Sequence, residues 1–226
     1  PRKPLAPRPP SSKKHFTRPR PGNIGRKPIG YSVYAEKNEH KDMKDAYCVM
    51  LKADGWSLFA IFDGHSGGQA ALFASKRVRE LVTSSQKLFQ NDGQGTLENI
   101  IALIESEWMA LAKENHLFDG TSLVVALVDC HRDRCIVANV GDSEAVLGTQ
   151  SSTSSLGFEV LSDIHAPKKN AREVERIMGA GGNVYRGRLA HPKINPQLFS
   201  LTTSRAIGHL FYKDVEYTGA CTSGLI

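Results

Sequence analysis

One stretch of the sequence, AIFDGHSGG at residues 60–68, constrains the fold and the chemistry of this chain more than any other. An apolar run over residues 56–62 ends at Asp63, Gly64 and His65, and a helical pattern follows the next two glycines. A short apolar run bounded by turn residues predicts a buried strand, so these polar groups are expected at the rim of a core. An aspartate offers a hard oxygen ligand, a glycine lets the backbone approach an ion, and a histidine titrates near neutral pH. The stretch therefore predicts metal-assisted chemistry at the end of a strand.

The composition of the chain is that of a globular protein with one sizeable core. The chain has 226 residues, of which 40% are hydrophobic, and a single domain of this length is ordinary. No apolar run approaches the ~18–20 residues of a membrane span. Four cysteines in a chain this long do not indicate a disulfide scaffold, so we expect a reducing, cytoplasmic setting.

The basic character of the chain belongs to its first thirty residues. Residues 1–30 hold nine of the 29 Lys and Arg residues, no acidic residue and eight of the eleven prolines, which leaves 20 basic against 23 acidic residues elsewhere. Such a segment buries too little apolar surface to offset its ordering entropy, so we expect an extended or disordered arm. Three interpretations stay open: a solvated tail, an electrostatic arm that docks on an acidic protein or nucleic acid, and a mitochondrial transit peptide.

The pattern after residue 30 predicts an α+β domain over residues 31–226. Strands are expected at residues 31–35, 46–51, 57–62, 123–128, 135–140 and 201–206. Two amphipathic helices lie between the third and fourth strands, the second with Thr96 as its N-cap. A capping box of Asn170 and Glu173 predicts a further short helix through Met178. Because the strands cluster before and after a helical pair, the order favours antiparallel sheets over alternating βαβ units.

Five motifs, taken in order, resemble those of the metal-dependent Ser/Thr protein phosphatases of the protein phosphatase 2C type. They lie at residues 59–68 (FAIFDGHSGG), 119–122 (DGTS), 137–143 (VANVGDS), 161–167 (LSDIHAP) and 201–208 (LTTSRAIG). The first is similar to the family's DGHGG segment, the third matches its VANVGDS segment, and the last resembles its LAVSRALGD segment. The resemblance covers residues 31–212.

This resemblance implies two antiparallel sheets packed face to face and flanked by helices, with a two-metal site between the sheet ends. Mg²⁺ or Mn²⁺ would activate a water that attacks the phosphorus of phosphoserine or phosphothreonine in a protein substrate. By the same resemblance, Asp63 would bridge both ions and the carbonyl of Gly64 would bind one of them. His65 would protonate the leaving hydroxyl as general acid. Asp45 would hold metal-bound water, and Asp142 would bind a third, more weakly held ion.

The chain departs from the family pattern at positions that bear on activity. Lys44 replaces an acid beside the expected metal cluster, where a cation repels a divalent ion. His40 stands where the family has the arginine that clamps the substrate phosphate, and histidine cannot form a bidentate fork. Glu144 follows the GDS motif in place of arginine, and His209 replaces the aspartate that ends SRALGD. The family's later LA-x-DG-x-WD and DN segments, which supply two further aspartates, have no counterpart after Ser204.

These observations leave two hypotheses for function. The first is an active Mg²⁺- or Mn²⁺-dependent phosphatase, of which this chain is a C-terminally truncated part. The second is an inactive pseudophosphatase that acts as a scaffold or interaction subunit, docked through its basic N-terminal arm. The intact residues 63–65 and Asp142 favour the first, and the substitutions favour the second. Nucleic-acid binding by the globular part has little support, because that part is mildly acidic and shows no aromatic platform motif.

Overall fold

The structure of the chain is a computed structural model that describes residues 30–36, 42–52, 55–129, 132–150 and 156–219. The chain divides into two units, Pro1–Met43 and Lys44–Ile226. The basic arm predicted for residues 1–30 lies outside the described residues except for Gly30. The prediction of a strand at residues 31–35 is wrong, because residues 30–36 form no regular secondary structure. The Tyr34 side chain is exposed there and donates a hydrogen bond to the nearby Glu36.

The second unit contains strands, helices and one short 3-10 turn. In chain order they are β1 (Ala46–Met50), β2 (Ser57–His65), α1 (Gln69–Ser84), the 3-10 turn (Leu88–Gln90), α2 (Gly93–Asn115), β3 (Gly120–Asp129), β4 (Arg134–Val140), β5 (Val146–Gln150), β6 (Leu156–Val160), α3 (Ala171–Gly179), β7 (Asn183–Tyr185), β8 (Arg188–Ala190), β9 (Ser200–Leu201), β10 (Ile207–Gly208), α4 (Leu210–Lys213) and α5 (Val215–Thr218). No helix in this part of the chain combines the length and the hydropathy that a membrane-spanning segment requires.

A five-stranded antiparallel sheet supports the main core. β2 lies between β1 and β3, while β4 and β10 pair with successive parts of β3. β2 alternates in burial, so its Leu58 and Phe62 are buried whereas Ile61 is exposed. The buried face packs against the apolar sides of α1 and α2, including Val78 and Trp108. The helix pair and the sheet therefore enclose one core.

Two smaller antiparallel sheets follow in the chain. β5 and β6 form a hairpin whose residues are exposed throughout, and β7, β8 and β9 form a three-stranded sheet. A second cluster of buried residues, Ile177, Leu189, Leu201 and Tyr212, joins this sheet to α3 and α4. The fold class predicted from the sequence, α+β with antiparallel sheets, is confirmed.

β2 is longer than predicted, because it continues past residue 62 through Asp63, Gly64 and His65. β3 begins correspondingly early, and its first residue Gly120 pairs with His65. A glycine inside a strand marks a close backbone approach: a Cβ on Gly64 would lie 2.4 Å from the carbonyl oxygen of Lys44. The predicted site residues of this stretch therefore lie on a paired strand and not in a free turn.

α2 begins earlier than predicted, and Thr96 is not its N-cap. The side chain of Asp92 accepts a hydrogen bond from the N–H of Gly95 at 2.9 Å. The hydroxyl of Thr96 donates to the backbone carbonyl of Asp92 instead. Aspartate caps a helix at least as well as threonine does, so the helix starts at the earlier of the two candidates.

The strand predicted over residues 201–206 is interrupted in the structure. β9 ends at Leu201 and β10 begins at Ile207. Between them, the N–H of Ser204 and the hydroxyl of Thr203 both donate to the carbonyl oxygen of His165, at 2.8 and 3.1 Å. The loop that contains His165 therefore provides the hydrogen-bond acceptor that a neighbouring strand would otherwise provide.

Glu173 lies at the centre of a buried ion-pair network. Asn170 caps α3 as predicted, but the Glu173 carboxylate does not complete the capping box. Its oxygens accept hydrogen bonds from Arg176, Arg205 and Ser204 at 2.6–3.2 Å. A buried charge requires such partners, and Glu173 is only 3% exposed. The network ties α3 to the segment before β10 and gives Arg205 a structural role.

We expect the Glu173→Gln substitution to reduce the acid sensitivity of folding. Burial acts to raise the pKa of Glu173, but hydrogen bonds from Arg205, Arg176 and Ser204 outweigh it and lower this pKa from 4.5 to about 2. The folded-state pKa lies below the ordinary value, so the stability from this carboxylate is present above pH 4.5 and is lost as the pH falls toward 2. Urea unfolding should therefore show a variant that is less stable than wild type at pH 7, with a difference that shrinks on acidification.

The exposed Glu175 of the same helix provides the control. Glu175→Gln should change neither the stability at pH 7 nor its pH dependence. A difference between Glu173→Gln and wild type that stays constant from pH 7 to pH 2 would contradict the assignment of this network.

Candidate metal centre

Three polar side chains converge at one end of the five-stranded sheet, where β2 and β4 finish. Asp63 and His65 lie on β2, and Asp142 follows β4. Because β2 and β4 both run antiparallel to β3, their C-terminal ends meet at the same edge. Nε2 of His65 lies 3.8 Å from Oδ1 of Asp63 and 4.0 Å from Oδ1 of Asp142. One ligand atom from each of the three residues falls within 4.8 Å of the other two.

The electrostatics of this cluster suit a divalent cation. Burial raises the pKa of Asp63, and the charges of Asp45 and Asp142 add to the increase against the opposing effect of His65. Oδ1 of Asp142 is buried and has no hydrogen-bond partner in the described part of the chain. A cation would relieve the repulsion between the carboxylates and would coordinate this oxygen. Carboxylate oxygens are the ligands that Mg²⁺ and Mn²⁺ prefer, so the residues present fit such an ion.

The loop that carries Asp142 is fixed on both sides by polar contacts. Gly141 has a φ of +106°, a conformation that favours glycine. Its N–H donates to Nδ1 of His165 at 3.1 Å, and its carbonyl oxygen accepts the His165 N–H at 2.9 Å. On the other side of Asp142, the hydroxyls of Ser143 and Ser122 are 2.6 Å apart. These contacts hold the Asp142 carboxylate near the end of β2.

Asp119 holds the turn after β2 in place. The N-cap position of α1, Gly68, supplies no side-chain hydrogen bond. The buried carboxylate of Asp119 accepts one from the N–H of Ala70 instead, at 2.9 Å. The neighbouring hydroxyl of Thr121 donates to the carbonyl oxygen of Asp63 at 3.0 Å. The role of Asp119 is not evident from the sequence, because its partner lies 49 residues away in the chain.

The other predicted site residues occupy different positions. Asp45 is exposed just before β1 and is not one of the three clustered residues, although its charge acts on Asp63. Gly64 lies on β2 between Asp63 and His65. His40 lies outside the described residues. A further histidine, His209, is buried with its ring stacked on that of His65, and its sequence signal was only the departure from the SRALGD motif.

The family model of protein phosphatase 2C matches residues 29–223 of the chain. The chain belongs to the protein phosphatase 2C family. It is 28% identical over 218 residues to a probable protein phosphatase 2C 21 of Oryza sativa, covering 82% of this chain and 58% of the relative. It is 26% identical over 204 residues to protein phosphatase 1A of Homo sapiens, covering 84% and 49% of the two chains. The chain thus spans about half the length of these relatives.

Solved structures support the same fold. The serine-threonine phosphatase 2C of Toxoplasma gondii superposes with a TM-score of 0.61 at 18% identity, covering 92% of this chain and 75% of that one. A C. elegans sex determining protein superposes with a TM-score of 0.62 at 20% identity, covering 80% and 44%. The resemblance inferred from the five motifs is confirmed. This family depends on metal ions, and the cluster of Asp63, His65 and Asp142 is where such an ion fits this chain.

Loss of the Asp119 cap should weaken the metal centre. Asp119→Ala removes the acceptor for the Ala70 N–H, so we expect a loss of about 1 kcal/mol in unfolding free energy. We also expect faster amide hydrogen exchange in residues 64–70 and weaker Mn²⁺ binding by calorimetry. Asp92→Ala is the matched control, because Asp92 caps α2 in the same way without touching the centre. Equal Mn²⁺ affinity in both variants would contradict the positioning role of Asp119.

Proposed function

We propose that this protein is a metal-dependent phosphatase that hydrolyses phosphoserine and phosphothreonine in proteins. The observation that carries the proposal is the convergence of Asp63, His65 and Asp142 at one sheet edge in a protein phosphatase 2C chain. The inactive-scaffold hypothesis is not favoured, because the chain keeps this acidic centre and its relatives are named as phosphatases.

The carboxylates of the centre would hold the cofactor, which we propose to be Mg²⁺ or Mn²⁺. When bound, such an ion supplies Lewis acidity toward water and toward phosphate oxygens. Asp63 and the backbone carbonyl of Gly64 would hold the catalytic ions, and Asp142 would hold a further, more weakly bound ion. Asp45 acts at longer range, through its charge and through water. No role is assigned to His40.

His65 is the candidate proton donor of the reaction. Its Nε2 lies 3.8 Å from Oδ1 of Asp63 and 4.0 Å from Oδ1 of Asp142, where a substrate phosphate would sit close to the ion. Histidine exchanges protons near neutral pH, so Nε2 can give a proton to the serine or threonine oxygen as the phosphorus–oxygen bond breaks. The Asp63 side chain is 52% exposed, which leaves the edge open to a protein substrate.

The cellular setting that we propose is the cytoplasm. Cys48 and Cys135 are free thiols, which accords with a reducing compartment. Targeting to mitochondria is the alternative that the basic arm leaves open.

Asp63→Asn should abolish metal-dependent turnover. Removal of one carboxylate charge leaves the centre with fewer ligands, so hydrolysis of a phosphothreonine peptide with added Mn²⁺ should fall by at least ~100-fold. Mn²⁺ binding measured by calorimetry should weaken in parallel. Asp163→Asn, at an exposed aspartate outside the centre, should behave like wild type. A wild-type protein that binds Mn²⁺ but hydrolyses no phosphopeptide would refute the phosphatase proposal and support the scaffold.

We also propose that the basic arm, residues 1–30, docks on an acidic surface of a partner, on the evidence of its nine positive charges and its lack of acidic residues. Replacing it by a Gly/Ser segment of equal length should abolish binding to polyglutamate or to single-stranded DNA, and the two probes separate a protein partner from a nucleic acid. Binding by the wild type should weaken steeply between low and physiological salt, because exposed charges are screened. Equal binding with either segment would identify the arm as a solvated tail.

A further inference from the structure

We propose that His209 is a positioning residue for His65, because its buried ring stacks on the His65 imidazole and sets the direction in which His65 presents Nε2. The two ring centroids are 5.8 Å apart, and the planes make an angle of 26°. The proposal rests on the proposed function, since it concerns the orientation of the candidate proton donor.

Within the described part of the chain, His65 does not form the hydrogen bond that usually orients a functional histidine. In most such sites the second ring nitrogen donates to a carboxylate or a backbone carbonyl, and this bond fixes the ring. Nδ1 of His65 is buried, yet it has no hydrogen-bond partner among the residues that the structure describes. The rotation of the ring is therefore restrained by packing, and the ring of His209, inclined by 26° to that of His65, is one of the surfaces against which it packs.

His209 is itself held firmly enough to serve as a support. It is 1% exposed, its backbone has a φ of +59°, and its N–H donates to the carbonyl oxygen of Asp119 at 3.1 Å. The following helix begins on it, because the N–H of Tyr212 donates to the His209 carbonyl oxygen at 2.8 Å. A left-handed backbone is uncommon for a residue other than glycine and persists where the surroundings enforce it.

Space for the ring exists because residue 120 has no side chain. A Cβ on Gly120 would lie 2.5 Å from Cδ2 of His209. Gly120 is also the β3 residue that pairs with His65. Gly120 therefore pairs with His65 in the sheet and also leaves space for the His209 ring that stacks on His65. The packing of the two histidines depends on this one glycine.

The His209 ring is uncharged at neutral pH. Burial, followed by the charges of His65 and Lys213, lowers the pKa of His209 to about 3. An aspartate, which the family motif has at this position, would place a carboxylate behind His65 instead.

The test compares three variants of the full protein. His209→Ala removes the stacked ring, His209→Phe keeps a neutral aromatic ring, and Leu210→Ala removes a buried core side chain next to it. We expect His209→Ala to lower kcat on the phosphopeptide roughly 10-fold or more with KM little changed, because orientation acts on the chemical step. His209→Phe should retain most of kcat. Leu210→Ala should lower the melting temperature as His209→Ala does and leave kcat near that of wild type.

A second readout needs no turnover. In NMR spectra of the metal-free protein, the ring protons of His65 should shift in His209→Ala, because the ring current of the stacked imidazole is lost. In His209→Phe an aromatic ring remains beside His65, so the His65 ring protons should keep a ring-current shift. In Leu210→Ala their chemical shifts should equal those of wild type. Should His209→Ala fail to fold, His209→Leu fills the cavity without an aromatic face and takes its place.

These readouts keep the two proposals separate. If the protein has no phosphatase activity but its His65 resonances respond to His209→Ala, the proposed function is refuted and the stacking of the two rings is supported. Unchanged His65 resonances in that variant overturn the positioning role, whatever the activity. A fall in kcat in Leu210→Ala as large as that in His209→Ala also overturns it, since stability alone would then explain the effect.

Discussion

The pairing of β2 with β3 through their last residues is the interaction on which the centre depends. β3 continues to Gly120, so His65 and Asp63 are held in register opposite Gly120 and Ser122. β4 pairs with the other side of β3 and places Asp142 at the same end of the sheet as Asp63 and His65. Because side chains alternate along a strand, a slip of one residue would turn Phe62 out of the core and Asp63 into it. The core packing that fixes the fold therefore also fixes the position of the acids.

Residues 119 and 120 connect the parts that surround the centre. The carboxylate of Asp119 caps α1, and its backbone carbonyl accepts the N–H of His209. Gly120 pairs with His65 and leaves room for the His209 ring. The turn after β2, the start of α1 and the segment after β10 thus meet at one dipeptide. This arrangement explains why the motif at residues 119–122 lies beside the strand that carries Asp63 and His65.

The sequence was informative where its signal was local. Alternation and apolar runs located β2, β3 and β4, and the motifs named Asp63, His65 and Asp142, which the structure brings together. Features that depend on distant partners were missed, such as the Asp119 cap. At Glu173 a local rule failed, because Arg205, 32 residues later in the chain, competes for the same carboxylate. The hairpin of β5 and β6 was also missed, although Leu156, Phe158 and Val160 alternate along β6. These side chains are exposed, so their alternation marks no core face.

Oδ1 of Asp142 has no hydrogen-bond partner among the described residues, and the pKa of Asp63 is raised; both have a consequence for folding as well as for chemistry. Holding these carboxylates together without a cation costs free energy in the native state and not in the unfolded chain, where they are far apart. An ion that binds only the folded protein therefore adds to its stability, by about 2.7 kcal/mol at 100 times the dissociation constant. A divalent ion that binds at this cluster would then stabilise the fold as well as serve the proposed chemistry.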